Sequence, residues 1–258
     1  MVKAIFFDID GTLVSFKTHR MSDNLKEKLH ELQAKGVKLF ISSGRARLVM
    51  NNLGGFPFDG YVEMNGAKTT LGEEVIDSHP MHKETSMQIA EIAETHNVSC
   101  WVFADTVAGI NHVSEHAIEV ENMLNLHPSG FLDLCKVARE HQVYEYTIFF
   151  DEGQEKRLLR PVLKEVTYSR WHPYFIDVVP EGLSKSYGAS KILEHIGVKR
   201  EECMAFGDGG NDIPIIEYAG IGVAMGNATD DVKAAADYVT DTVDEDGIVT
   251  ALEHFGVI

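Results

Sequence analysis

Near the start of the chain, the unbroken apolar run Ala4-Ile5-Phe6-Phe7 stops against Asp8-Ile9-Asp10-Gly11-Thr12. A short apolar run bounded by turn residues predicts a strand buried on both faces. Such strands belong to parallel sheets with helices on either side, and ligands sit beyond the carboxyl ends of those strands. Asp8 and Asp10 fall at that end. Residues two apart on a strand point the same way, and crowded carboxylates repel unless a cation or a shared proton compensates. Gly11 lets the backbone turn sharply, and Thr12 can bond to local backbone groups. The chemical reading is a Mg2+-assisted phosphoryl-transfer site. The structural alternative is a strand ending in turn-forming Asp and Gly, and only the downstream sequence separates the two.

After this strand, Ser22 is an N-cap candidate for a helix over Asp23 to Ala34, with Leu25, Leu29 and Leu32 at helical spacing and Gly36 ending it. Val37 to Ile41 predicts a second strand, closing at Ser42-Ser43-Gly44-Arg45, and a helix is expected near Ala46 to Leu53. Strand, helix, strand, helix is the signature of a parallel α/β sheet. Tyr61 to Met64 runs into Asn65-Gly66, a hairpin signal.

Between about His82 and Pro180 the alternation lapses. Helices are expected near Glu84 to His96 and Glu152 to Lys164, the latter shortened or kinked by Pro161. Strands are expected at Ser99 to Phe103, Glu145 to Phe150, Val166 to Trp171 and Phe175 to Val179. This mixture suggests an α+β insertion. Regular alternation resumes with a helix from Ser186 to Ile196. A strand at Cys203 to Phe206 then ends at Gly207-Asp208-Gly209-Gly210-Asn211-Asp212. Further elements are expected at Gly220 to Ala224, Asp230 to Ala236, Tyr238-Val239 and Gly247 to Phe255. The expected division is therefore a core from residues 1–81 and 183–258 around an insertion at 82–182.

The 258 residues are 44% hydrophobic, enough for a real core, and carry a net charge of −17. That charge disfavours nucleic acid and anionic membranes as partners, since phosphates need compensating Lys or Arg. It does not forbid an anionic substrate held by a metal or by local positive charge. The three cysteines, Cys100, Cys135 and Cys203, form no C-x-x-C pair, so neither a disulfide framework nor a zinc knuckle is indicated. No signal peptide or long uncharged apolar span is visible. A soluble, reducing, cytoplasmic setting is expected; oligomeric state is not legible.

Four groups sit just beyond predicted strands or at helix starts: Asp8 with Asp10, Ser43-Gly44, Lys185, and Asp208 with Asn211 and Asp212. If the three strands are parallel and adjacent, their ends converge on one crevice. Asp8 and Asp208 supply hard oxygen ligands suited to Mg2+. Lys185 offers a compact positive charge to phosphate and nucleophile. Ser43 and the Gly44 N–H, just before a helix, offer donors to phosphate oxygens.

The order D-x-D-G-T, a hydroxyl residue after the second strand, a later Lys, then G-D-x-x-N-D resembles the haloacid dehalogenase-like (HAD) phosphatase superfamily. The wording is closest to its Cof-type, or IIB sugar-phosphatase, group. That group's second motif usually reads T-G-R; here it is Ser43-Gly44-Arg45, and Gly182-Leu183-Ser184-Lys185 matches its lysine motif. The resemblance implies a doubly wound, Rossmann-like core with an inserted α/β cap that excludes water and contacts the leaving group. It implies Asp8 as nucleophile, forming an aspartyl-phosphate, and Asp10 as general acid and then general base. It also implies Mg2+ held by Asp8, the Asp10 carbonyl and Asp208. Ser43, Gly44, Lys185 and Asn211 would bind phosphate, and Asp212 would orient ligands or Lys185. The implied substrate is a small phosphorylated metabolite such as a sugar phosphate.

Other signals read as structure. Gly220-Ile221-Gly222 to Gly226 has its third glycine one residue too late for a dinucleotide loop and follows a helix rather than a strand. His112 and His116 could share a helix face but lack a third ligand. Asp241, Asp244, Glu245 and Asp246 fail calcium-loop spacing and read as acidic caps of the last helix. Cys203 reads as core. Two other functions fit the same residues: a phosphosugar mutase, and a signalling receiver that accepts phosphate on Asp8. Asp10, the G-D-x-x-N-D element and the large insertion argue against the receiver.

Overall fold

The computed structural model describes residues 1–124, 130–161 and 163–258. The chain first forms β1 (Ala4–Phe7), α1 (Asp23–Ala34), β2 (Lys38–Ser42), β3 (Gly60–Glu63), β4 (Lys68–Leu71) and β5 (Glu74–Ser78). It continues through α2 (Lys83–Thr95), β6 (Cys100–Ala104), β7 (Ala108–Ile110), α3 (Glu115–Leu124), α4 (Leu134–Glu140), β8 (Val143–Ile148), the short turn α5 (Glu152–Gln154), β9 (Val166–His172) and β10 (Phe175–Pro180). It finishes with α6 (Lys185–Ile196), β11 (Cys203–Gly207), α7 (Ile213–Tyr218), β12 (Ile221–Ala224), α8 (Asp230–Ala235), β13 (Tyr238–Val239) and α9 (Gly247–His254). Two compact units result: Met1–Ser78 with Ser184–Ile258, and His79–Leu183.

The first unit holds an eight-stranded sheet in the order β13-β12-β11-β1-β2-β3-β4-β5. The strands from β13 to β3 are parallel, and β4 and β5 turn back antiparallel. Residues of β1 alternate between two buried faces. Ile5 and Phe7 pack with Leu25, Leu29 and Leu32 of α1 and with Ile248 and Leu252 of α9. Ala4 and Phe6 pack with Ile192 and Leu193 of α6 and Ile215 of α7. This is the doubly wound arrangement, and it explains why β1 reads as continuously apolar. Helix α1 starts where Ser22 Oγ accepts from the Leu25 N–H at 3.0 Å. Its three leucines are buried, each contributing roughly 1.5–3 kcal/mol by removal from water.

The second unit is an antiparallel five-stranded sheet, β7-β6-β8-β10-β9. Ile89 and Ala93 of α2 and Leu134 and Val137 of α4 share a core with Val102, Tyr146, Ile148 and Ile176 of the strands.

Several expectations change. In place of a helix over Ala46 to Leu53 there is a single 3-10 turn, Arg47–Val49. Asn51 and Asn52 favour turns over helix, and Gly54 and Gly55 both adopt positive φ, at 61° and 72°. The helix expected over Glu152 to Lys164 is a turn, Glu152–Gln154, followed by a wide π-type turn, Glu155–Leu159; Val162 lies outside the described residues. Buried Glu155, held by Arg160 and Arg170, fixes that wide turn, and Pro161 cannot donate to continue it. His112 precedes α3 and so shares no helix face with His116, which stacks on Tyr174 with ring centroids 4.1 Å apart. The acidic loop before α9 reaches across the unit rather than capping by side chain. Asp244 accepts from Ser15 and Lys17, and Asp246 from Ser22 and Asn24. Gly222 lies where an added Cβ would sit 2.2 Å from the Ile216 carbonyl oxygen, so its glycine serves packing of α7 on β12. Cys203 is buried in the core. Among the described residues, no helix is long and apolar enough to cross a membrane.

Glu145 of β8 is buried at 4% exposure, and its Oε2 has no hydrogen-bond partner among the described residues. Burial first, and the nearby Asp177 second, push its carboxyl well above the usual range. The folded state therefore keeps a proton that the unfolded chain gives up as pH rises past the ordinary glutamate value, so this residue costs stability at neutral pH and not in acid. Glu145→Gln is predicted to raise the melting temperature at pH 8, with the gain fading to nothing near pH 4; thermal melts across pH check it.

Candidate active site

The register of the three central strands sets the site. Phe7 pairs with Phe206 on one side and Ile41 on the other, so Asp8, Gly207-Asp208 and Ser42-Ser43 leave the sheet side by side at its carboxyl edge. Asp8 is 9% exposed, and its N–H donates to the Phe206 carbonyl at 3.0 Å. The chain then reverses tightly: Val14 donates to Ile9 and Gly11 to Val14, both at 2.8 Å. Gly11 has φ +84°, and an added Cβ would fall 2.2 Å from Asp208 Oδ2. Glycine is required there twice over, by conformation and by the approach of a carboxylate.

Lys185, the first residue of α6, is fully buried and reaches back into this edge. Its Nζ donates to Asp8 Oδ1 at 2.6 Å and to Asp212 Oδ1 at 2.5 Å. Burial pulls its pKa down, but Asp212 and Asp8 outweigh burial, and the net shift is upward; Lys185 stays charged. Asp212 spends its other oxygen on the Asp208 and Gly209 N–H groups, both at 3.0 Å. Asp208 accepts from Thr12 Oγ1 at 2.9 Å and from Asn227 Nδ2 at 3.2 Å. Burial foremost pushes the carboxyls of Asp208 and Asp212 up. At Asp208 the neighbouring Asp8 and Asp212 push the same way. At Asp212 the Lys185 ammonium works against the rise.

The remaining predicted residues surround this cluster. Asp10 turns its carboxylate to Arg45, whose Nε and Nη2 donate to it at 2.6 and 2.8 Å. Ser43 is buried, and its hydroxyl accepts from the Arg45 N–H at 3.1 Å. Asn211 Nδ2 donates to Asn65 Oδ1 at 3.0 Å, and a Cβ on Gly44 would lie 3.4 and 3.6 Å from those two side-chain amides. Carboxylate oxygens of Asp8, Asp208 and Asp212 all lie within 4.8 Å of one another, whereas the Asp10 side chain is directed to Arg45.

Sequence reading did not single out Arg45, Thr12, Asn65 or Asn227 as site residues. Arg45 was visible only as the third letter of a motif, and Asn65 only as a hairpin residue. The Thr12 hydroxyl was expected to serve local backbone and instead holds Asp208. Asn227 ties Gly11 O to Asp208 and carries no local sequence signal.

These donors fit a hard divalent cation. Three close carboxylates face one buried ammonium, so negative charge is in excess where water is scarce. Asp212 gives one oxygen to the Lys185 ammonium and the other to two backbone N–H groups. Asp208 has one neutral side-chain donor on each oxygen, and Asp8 has the Lys185 contact on Oδ1, so Asp8 and Asp208 keep more lone-pair capacity for an ion. Oxygen-only donors suit Mg2+.

A family model for haloacid dehalogenase-like hydrolases matches residues 5–252. The chain belongs to this family. The solved HAD subclass IIB sugar phosphatase BT4131 is 41% identical, with complete coverage of both chains and a TM-score of 0.90. The HAD phosphatase BT1666 from Bacteroides thetaiotaomicron is 35% identical over 100% of this chain and 96% of its own, with a TM-score of 0.89. The 5-amino-6-(5-phospho-D-ribitylamino)uracil phosphatase YcsE of Bacillus subtilis (strain 168) is 30% identical over 98% of this chain and 96% of its own. This HAD hydrolase of the Cof-type group is a phosphatase, acting on phosphoric monoesters.

Removing one partner of a buried charge pair strands the others. Lys185→Met is therefore predicted to cost about 3–5 kcal/mol of folding stability, measured by urea unfolding. Adding Asp212→Asn to it should recover part of that loss.

Proposed function

We propose that this HAD hydrolase is a Mg2+-dependent phosphatase of small phosphorylated metabolites, sugar phosphates foremost, working through an aspartyl-phosphate on Asp8. The observation that carries this reading is the position of Asp8: one oxygen is held by buried Lys185, and the carboxylate stands against Asp208 at the open edge of the sheet. A carboxylate held by one oxygen keeps the other free to attack. Its relatives point the same way on substrate: one is a sugar phosphatase, and another is a phosphatase whose name specifies a phospho-ribityl compound.

Asp8 Oδ2 attacks phosphorus, and the bond to the leaving oxygen breaks as Asp10 gives that oxygen a proton. Asp10, now ionised, takes a proton from water, which attacks the aspartyl-phosphate and releases phosphate. Lys185, Ser43, the Gly44 N–H and Asn211 hold the phosphoryl oxygens. Asp212 fixes Lys185 and the backbone N–H groups of Asp208 and Gly209. Mg2+ held by Asp8, Asp208 and the Asp10 carbonyl would cancel the repulsion between the Asp8 carboxylate and an anionic phosphate. Choice of leaving group is assigned to the His79–Leu183 unit, a cap in this reading, which contributes none of these residues.

Phosphate release from a panel of sugar phosphates, with Asp8→Asn alongside, tests this. The variant is predicted to lose at least ~10³-fold in turnover, as when a nucleophile is deleted elsewhere. Equal turnover by both proteins would remove Asp8 from the chemistry, and an isomerised sugar phosphate without free phosphate would mark a mutase instead.

A further inference from the structure

The proton-transfer residue of this reaction is gripped by a side chain that the reaction scheme leaves idle. Arg45 approaches Asp10 with two parallel donors, Nε to Oδ2 at 2.6 Å and Nη2 to Oδ1 at 2.8 Å. The arginine side chain is 7% exposed and the aspartate 21%, so the pair is partly shielded and the fork is stronger than on an open surface. Arg45 is itself anchored. Its N–H donates to Ser43 Oγ at 3.1 Å, and its carbonyl accepts from the Met64 N–H at 3.3 Å. Arg47, two residues on, goes elsewhere: it lies over Tyr61 and pairs with Glu73. The grip on Asp10 is thus specific to one of two neighbouring arginines.

Asp10 needs such a restraint. It lies beyond the end of β1, next to Gly11, where the strand no longer fixes the side chain. A misplaced proton donor loses most of its effect, because transfer demands hydrogen-bond distance to the leaving oxygen. A guanidinium fork fixes both the place and the plane of a carboxyl group, whereas an ammonium fixes only distance. Each carboxyl oxygen has a second lone-pair direction, so Asp10 can carry its proton while still held.

We propose that Arg45 is the positioning residue for proton transfer by Asp10, setting the orientation in which Asp10 protonates the leaving oxygen. This rests on the reading of Asp8 as nucleophile and Asp10 as acid. As the Asp8 oxygen bonds to phosphorus, the electron pair of the breaking P–O bond stays on the leaving oxygen, and the Asp10 proton goes to that oxygen.

The test compares two esters within each protein: 4-nitrophenyl phosphate, whose phenolate leaves without a proton, and the fastest sugar phosphate of the panel, whose alkoxide needs one. The quantity is kcat/KM, which stops at phosphoryl transfer to Asp8 and so excludes the later water step. Arg45→Lys and Arg45→Gln are predicted to lose about 10²-fold on the sugar phosphate and no more than about threefold on the aryl ester. Taking the ratio cancels any unfolded fraction. In an Asp10→Asn background, Arg45→Lys should leave the ratio unchanged. An equal loss on both esters, or a loss on neither, would overturn the proposal. Full activity of Asp8→Asn would instead sink the underlying reading, and the two failures are distinct.

Discussion

One buried ammonium holds the site together. Lys185 joins Asp8, 177 residues before it, to Asp212, 27 residues after it. Its two contacts pin the end of β1, the start of α6 and the loop after β11 to one point. Without that charge, acids from two strand ends would face each other in a poorly hydrated crevice, at a cost of several kcal/mol per uncompensated ion. With it, the strand ends can close up, and the excess negative charge that remains is what a divalent cation would answer.

The surrounding backbone is shaped to permit this crowding. Gly11 has no side chain where Asp208 arrives, and Gly207 none where Asp212 packs, since an added Cβ would meet Asp212 at 2.3 Å. Thr12 and Asn227 then satisfy Asp208 from opposite sides. Arg45 plays for Asp10 the part that Lys185 plays for Asp8: a cation from another segment neutralises and orients an acid that the strand alone leaves loose. The difference in cation type follows the task. In the proposed mechanism Asp8, as nucleophile, must keep one oxygen free, so a single-point ammonium serves it; Asp10, as proton carrier, must keep its plane, so a fork does.

Much of this was legible in the chain. The strands β1, β2 and β11 are short apolar runs with both faces buried, and such runs announce a parallel sheet by themselves. Asp8 and Asp208 were readable because each follows such a run directly, where the sheet must present its ends. Arg45 and Asn227 were not, because their partners are distant in sequence and only the fold brings them near. The helix expected after β2 does not form because Asn51, Asn52 and the positive-φ glycine pair that follows favour turns. In the insertion α2, β6, β8, β9 and β10 were legible, but the turn after α5 was not: buried Glu155 is held by Arg160 just beyond that turn and by Arg170 of β9, pairings that no helical or strand period reveals.

The central claim is that Asp8 and Asp208 share one divalent ion while Lys185 holds Asp8 in place. Calorimetric titration of the protein with Mg2+ tests it most directly, against Asp208→Asn under the same conditions. One Mg2+ per chain in the parent protein, with binding lost in the variant, is the predicted result. Equal binding by both proteins would contradict the account, because Asp208 would then not be holding the ion.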